Sequence, residues 1–160
     1  MTRNLQFKSF GADELAYAFE ELLPFNKLLG LRCLDIEEGL VRVELPFRPE
    51  HVGNPEIPAL HGGAISATLD TTGGLAVWSQ AGPNDRVSTI DFRVDYLRPG
   101  RAEPLIAVAR VVRLGNRVGV AELRAFHPDS EDRPVAAGMG VYSVKRDNGD
   151  VGGKWEWQTD

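Results

Sequence analysis

Leu60-His61-Gly62-Gly63-Ala64-Ile65-Ser66-Ala67-Thr68-Leu69-Asp70-Thr71-Thr72-Gly73-Gly74 decides how this chain folds and where its chemistry lies. A loop broken by Pro55 and Pro58 leads into His61-Gly62-Gly63, and an apolar stretch that reads as a helix runs on to about Gln80. Ala81-Gly82-Pro83 supplies its stop signal. A single carboxylate, Asp70, stands in the middle, among Ile65, Leu69, Leu75 and Val77. An acid in such company costs free energy unless it is paired or used. A helix start offers unpaired N–H groups and partial positive charge, which suit an oxygen that becomes negative during a reaction.

Outward from this helix the chain divides cleanly. Leu15, Ala18, Phe19 and Leu22 fall at helical spacing within residues 12–23, and Pro24 is expected to end that helix, with one further turn over Phe25 to Leu29. Leu34 and Ile36, then Leu40, Val41, Val43 and Leu45, alternate about a Glu38-Gly39 turn, which predicts a hairpin between Leu31 and Phe47. Residues 48–60 read as an exposed connecting loop. Beyond the long helix come four strand-like segments, Val87–Leu97, Leu105–Leu114, Arg117–Phe126 and Val135–Val144. Gly115-Asn116 is a good hairpin turn between two of them. The tail from about Asp147 carries Gly149, Gly152 and Gly153 before Trp155-Glu156-Trp157 and is expected to be loosely ordered.

Strands running around one apolar helix predict an α+β architecture with an antiparallel sheet, in one domain over residues 1–160 with its core at about 25–145. Gly73-Gly74 inside the long helix weakens it by about 1 kcal/mol each relative to alanine. Something must therefore approach that backbone closely, either a wrapping sheet or a second copy.

The composition, 42% hydrophobic and 26% charged over 160 residues, is that of an ordinary globular chain. A net charge of −5 argues against nucleic acid as the main partner. Cys33 stands alone, so neither an internal disulfide nor a cysteine-based zinc site is expected, and in Leu31-Arg32-Cys33-Leu34 it reads as a small buried hydrophobe. No apolar run reaches the roughly 20 residues of a membrane span. With no signal-peptide pattern near Met1, a cytoplasmic location and no membrane partner are expected.

Helical geometry puts Gly63 and Asp70 on nearly one face, about 700° and about 10.5 Å apart. A base activating a water must lie roughly 3 Å from the reacting groups, so these two cannot serve one substrate within one chain. Two antiparallel copies remove the difficulty, each Asp70 approaching the other's helix start. The expectation is a dimer with two composite sites, in which partial desolvation raises the Asp70 pKa.

His61 has two readings: a catalyst, or a side chain that hydrogen-bonds backbone and fixes the loop. Gly62 and Gly63 either relieve crowding or let a carbonyl reach the Gly63 N–H. Asp70 as a plain structural acceptor is the alternative to a base. There is no Gly-x-Ser-x-Gly elbow, no zinc-protease pair and no phosphate loop. His51 and His127 fall in predicted loops, where surface placement is expected, and no pair has metal-ligand spacing, so neither metal nor cofactor is expected.

Leu60-His61-Gly62-Gly63 followed by Asp70 resembles the hotdog-fold acyl-CoA thioesterases, in particular the phenylacetic-acid-degradation subfamily. Ser88-Thr89-Ile90-Asp91-Phe92-Arg93-Val94-Asp95-Tyr96-Leu97-Arg98-Pro99 is similar to that family's third-strand signature. Arg110-Val111-Val112-Arg113-Leu114-Gly115-Asn116-Arg117 resembles its next hairpin, and Val135-Ala136-Ala137-Gly138 its last strand. The likeness runs from about residue 25 to 145.

The resemblance implies a six-stranded antiparallel sheet curled around the long helix, with an additional N-terminal helix, dimers formed side by side, and often a tetramer of two dimers. It implies that Gly63 polarises a thioester carbonyl, that Asp70 of the partner chain is general base or nucleophile, and that Thr89 orients the water or the acid. It also implies an assisting asparagine six residues before the histidine. Asn54 stands seven before His61, with Pro55 in the expected place, so the loop must bulge by one residue for Asn54 to serve. Water activation is favoured over direct attack, because a buried anhydride needs a second hydrolysis in the same site. Gly62 and Ser88 are candidate substrate contacts, and Arg98, Arg113 and Arg117 are candidates for the phosphates of coenzyme A.

The expected reaction is hydrolysis of an acyl-CoA to a free acid and coenzyme A. Two other readings stay open, a hotdog hydratase or dehydratase using His61, and a non-catalytic acyl-CoA-binding protein. The acyl group is expected to be aromatic, with medium-chain fatty acyl as the alternative.

Overall fold

The computed structural model describes residues 11–82 and 84–147; the expected tail therefore lies, beyond Asp147, outside the described residues. Alternating apolar residues make a hairpin of Arg32–Glu37 (β1) and Leu40–Leu45 (β2), which reverses at Gly39 with φ 76°, a left-handed backbone suited to glycine. In β2 the alternation is clean: Val41, Val43 and Leu45 are buried. β1 departs from the expected alternation, since its register skips Leu34, which is 50% exposed. This bulge lets Cys33 and Ile36, three residues apart, both pack against the core.

Gly62–Ser79 (α3) is followed by Arg86–Tyr96 (β5), Leu105–Leu114 (β6), Val118–Phe126 (β7) and Ala136–Lys145 (β8). With β1 and β2 they form one six-stranded antiparallel sheet in the order β1-β2-β6-β7-β8-β5. α3 lies against one face, its Ile65, Leu69, Leu75, Ala76 and Val77 buried with Leu105, Ala107, Ala109, Ala121 and Leu123 of the sheet. The alanines keep that face shallow enough for a helix to settle close. Two buried threonines on α3 are satisfied within the helix: Thr68 donates to the Ala64 carbonyl at 2.7 Å and Thr72 to the Thr68 carbonyl at 2.6 Å.

Gly73 has the close neighbour its sequence position demands. A Cβ there would strike the Tyr142 hydroxyl and come within 2.9 Å of Leu123 Cδ2, so the wrapping sheet requires the glycine. At Gly74 the nearest atom would be Tyr142 Cε1 at 3.7 Å, an ordinary contact. The requirement therefore holds at one glycine and not at its neighbour.

Near the N-terminus, Ala12–Tyr17 (α1) widens into a π-helical turn over Ala18–Leu22, and Pro24–Leu29 (α2) follows. Pro24 opens this second helix as well as closing off the first, since its fixed φ and missing N–H suit a first helical position. α2 ends at Gly30 with φ 72°.

Residues 48–60 are largely exposed, as their prolines suggest, but they carry regular structure. Pro49–His51 forms a 3-10 turn, and Val52–Asn54 (β3) pairs antiparallel with Ala59–Leu60 (β4). Both remaining histidines are buried rather than on the surface, His51 at 5% and His127 at 3% exposure. His127 is held in one tautomer: Nε2 accepts from Arg101 N at 2.9 Å, and Nδ1 donates to the Pro104 carbonyl at 2.8 Å. Polar loop composition hid a structural role in bonding backbone.

Candidate active site

Asp70 sits two turns into α3 and is half-buried, facing a cavity of about 570 Å³. β5 crosses beside it, and Thr89 Oγ1 donates to Asp70 Oδ1 at 2.9 Å. A bulge sets this up: the β5–β8 register skips Ile90. Thr89 before the bulge and Tyr96 after it thus both reach α3, although they stand seven positions apart, which in a regular strand would turn them to opposite faces. Tyr96 donates to the Gly62 carbonyl at 2.8 Å, so β5 runs antiparallel along the helix from its acid to its start. Burial pushes the Asp70 pKa above the ordinary carboxylate value, and the Thr89 hydrogen bond opposes part of that rise.

Three residues to which the sequence assigned no place in the site hold this carboxylate's surroundings. Tyr142 on β8 donates to the Asp70 backbone carbonyl at 2.9 Å, and burial raises its phenol pKa, so it stays a donor. Asn26 on α2, 3% exposed, donates to the Phe19 carbonyl at 3.0 Å and accepts from Thr71 Oγ1 at 3.1 Å. Phe19 belongs to the π turn, whose irregular backbone leaves that carbonyl available for Asn26. All of them line the Asp70 cavity, with Ser88, Gly74 and Trp78. The need of Gly73-Gly74 for a close neighbour was the signal for Tyr142; nothing in the sequence around Asn26 marks it.

The helix start is a separate place. Gly62 and Ile65 line a shallower depression of about 340 Å³ with Tyr96, Arg98 and Gly100. His61 is the N-cap of α3, and its Nδ1 accepts from Gly63 N at 2.8 Å. The ring therefore occupies the amide assigned to a substrate carbonyl, and the backbone-binding reading of His61 describes this geometry. Among the described residues a Cβ at Gly63 would meet only that ring, at 2.8 Å from Nδ1.

The structure brings Asp70, Thr89 and Ser88 to one cavity, and Gly62 and Arg98 to the other depression. Arg98 already donates to the Pro134 carbonyl at 2.8 Å, while Arg113 and Arg117, exposed on the β6–β7 hairpin, line neither. Asn54 lies in neither as well; its Oδ1 accepts from Glu56 N at 3.0 Å and closes its own turn. The one-residue bulge that Asn54 needs does exist, since Val52 pairs with Leu60 and Asn54 with Ala59, leaving Gly53 out. Cys33 is half-buried and its thiol pKa is pushed to about 12 by burial, which removes it as a nucleophile. Among the described residues no cluster of three or more potential metal ligands occurs, and no helix is long and apolar enough to cross a membrane.

Comparison with known proteins agrees with this architecture. The family profile of the thioesterase superfamily matches residues 58–133. A Halobacterium salinarum protein whose esterase name is itself provisional is 39% identical over 150 residues, spanning 87% of this chain and 98% of its own. The Escherichia coli medium/long-chain acyl-CoA thioesterase YigI is 34% identical over 76% of this chain and 86% of its own. A crystal structure of a Shewanella oneidensis protein related to the thioesterase superfamily superposes with a TM-score of 0.73 at 33% identity, covering 82% of this chain and 94% of that one. This chain belongs to the thioesterase superfamily and has its hotdog fold. Its activity is thioester hydrolysis.

Proposed function

We propose that the chain hydrolyses aliphatic acyl-CoA thioesters of medium to long chain length, at a site that two copies build together. The carrying observation is Asp70: half-buried, with a raised pKa, bonded by Thr89 through one oxygen and facing a largely apolar cavity. The name of the Escherichia coli relative supports aliphatic acyl groups over aromatic ones.

The helix tip and the acid lie eight residues apart between Gly62 and Asp70, about 12 Å along one helix, so one chain does not present both to one carbonyl. β5 is an edge strand of 11 residues, and a long open edge is a template for pairing. If two β5 strands pair antiparallel about Phe92–Arg93, Thr89 of one copy lies opposite Tyr96 of the other. Thr89 carries Asp70 and Tyr96 carries Gly62, so each acid then faces the other copy's helix tip. This supports the dimer; a further pairing to a tetramer is compatible with it.

In this mechanism Asp70 Oδ2 takes a proton from a water, whose oxygen attacks the thioester carbon. The carbonyl oxygen, now negative, is held by the Gly62 and Gly63 amides of the second copy, after the exposed His61 ring swings off Gly63. Collapse breaks the carbon–sulfur bond, and the proton on Asp70 passes to the coenzyme A thiolate. Arg98, beside that tip, is placed to meet a phosphate, and Ser88 to contact the acyl-bearing end. The test is thiol release from butanoyl-, octanoyl-, dodecanoyl-, hexadecanoyl- and phenylacetyl-CoA. Turnover greatest on the straight medium or long chains, and abolished in Asp70→Asn with binding retained, is expected. Binding without turnover by the wild type, or hydration of enoyl-CoA in its place, would overturn the proposal.

A further inference from the structure

Asp70, Gly74 and Trp78 follow one another at four-residue spacing along α3, and all three line the larger cavity. That spacing puts them on one helical face, with about 6 Å of rise per step. The cavity thus follows the helix from the carboxylate past Gly74 to the indole, a length of about 12 Å. Phe19 and Leu75 give the same wall an apolar character.

Glycine inside a helix is less favourable than alanine, so each such glycine needs a cause. Gly73 has one in Tyr142 and Leu123, which a Cβ would strike. Gly74 has none among the described residues: a Cβ there meets nothing of theirs nearer than 3.7 Å, and the position opens on the cavity. We infer that Gly74 is a specificity-determining residue, its missing side chain keeping open the path along which the distal methylenes of a medium or long acyl chain lie, with Trp78 at its far end. The inference rests on the acyl-CoA reading above and adds to it which residue sets chain length.

The test compares kcat/KM for butanoyl-CoA and dodecanoyl-CoA in the wild type, Gly74→Ala and Gly74→Leu, together with thermal unfolding and oligomeric state. A side chain that displaces even a methylene's worth of substrate from an apolar pocket changes discrimination by roughly tenfold or more. The dodecanoyl-to-butanoyl ratio is expected to fall at least about tenfold in Gly74→Leu and by less, in the same direction, in Gly74→Ala. Gly74→Ala is also expected to unfold at a higher temperature, because it gains helix propensity and meets no clash. A ratio that stays at the wild-type value would overturn the inference. So would an equal fall on both substrates accompanied by loss of assembly, which would assign Gly74 to a subunit contact. If Gly74→Leu fails to fold, the alanine variant decides alone. Wild-type protein that cleaves neither substrate would instead refute the acyl-CoA reading, and this inference with it.

Discussion

Thr89 on the edge strand donates its hydroxyl to Asp70 in the central helix at 2.9 Å, and this is the hydrogen bond through which sheet and helix fix the acid. It lowers a pKa that burial has raised, and it commits Oδ1 so that Oδ2 is left to meet water. A hydrogen bond to a charged group is worth about 1.5–3 kcal/mol, so Thr89→Val should lower kcat/KM by roughly one to two orders of magnitude at neutral pH. The acidic limb of its pH–rate profile should also move to higher pH than in the wild type. Thr89→Ser should restore both. A Thr89→Val enzyme with an unmoved limb would show that the bond is structural only.

Asp70 should make stability depend on pH in a stated direction. Its folded pKa is raised, so between the unfolded and folded values the native state holds the proton more tightly than the unfolded chain does. The contribution of this group to stability therefore falls as pH rises through that window, from just above the ordinary carboxylate value upward. Asp70→Asn, which cannot ionise, should lose activity yet unfold at an equal or higher temperature at pH 7, with the gap closing toward pH 4. Thermal unfolding across that range checks it; a variant that is markedly less stable at neutral pH would mean the carboxylate is paired in a way the structure does not show.

His61 separates capping from catalysis. Its Nδ1 holds the Gly63 amide, and loss of a helix N-cap typically costs about 1 kcal/mol. His61→Ala should therefore lose about that much stability, while kcat stays within about tenfold of the wild type, far from the 10²–10⁴-fold loss that removal of a general base brings. His61→Asn, another capping residue, should recover most of the stability. A collapse of kcat in both variants would make the imidazole itself a participant.

The sequence made the helix and its acid legible because both signals are local. Apolar residues from Ile65 to Val77 sit around one carboxylate, and Gly62-Gly63 marks the helix start. Strand alternation located the sheet to within a residue or two at each end of β5 to β8, since burial on one face leaves a period-two pattern. The bulges at Leu34 and Ile90 were not legible: each inserts a residue that composition cannot flag, yet the second is what turns both Thr89 and Tyr96 toward α3. Asn26 escaped for another reason. Its partners, Phe19 and Thr71, lie 7 and 45 residues away, so its role exists only after the chain has folded. His51 and His127 misled by composition, since the fold and not their neighbours in sequence buries them, His127 with backbone bonds at both ring nitrogens.

That acid and helix tip come from different copies is a claim open to complementation between two inactive variants. Asp70→Asn removes the acid, and Gly63→Leu covers the tip, where a new Cβ meets, among the described residues, only the His61 ring. Each variant alone should be inactive. Unfolded together and refolded as an equal mixture, half of the two-fold dimers should be mixed, and each of those should regain one intact site, giving about one quarter of wild-type activity. A mixture as inactive as its parents, from protein shown to have exchanged subunits, would contradict the claim.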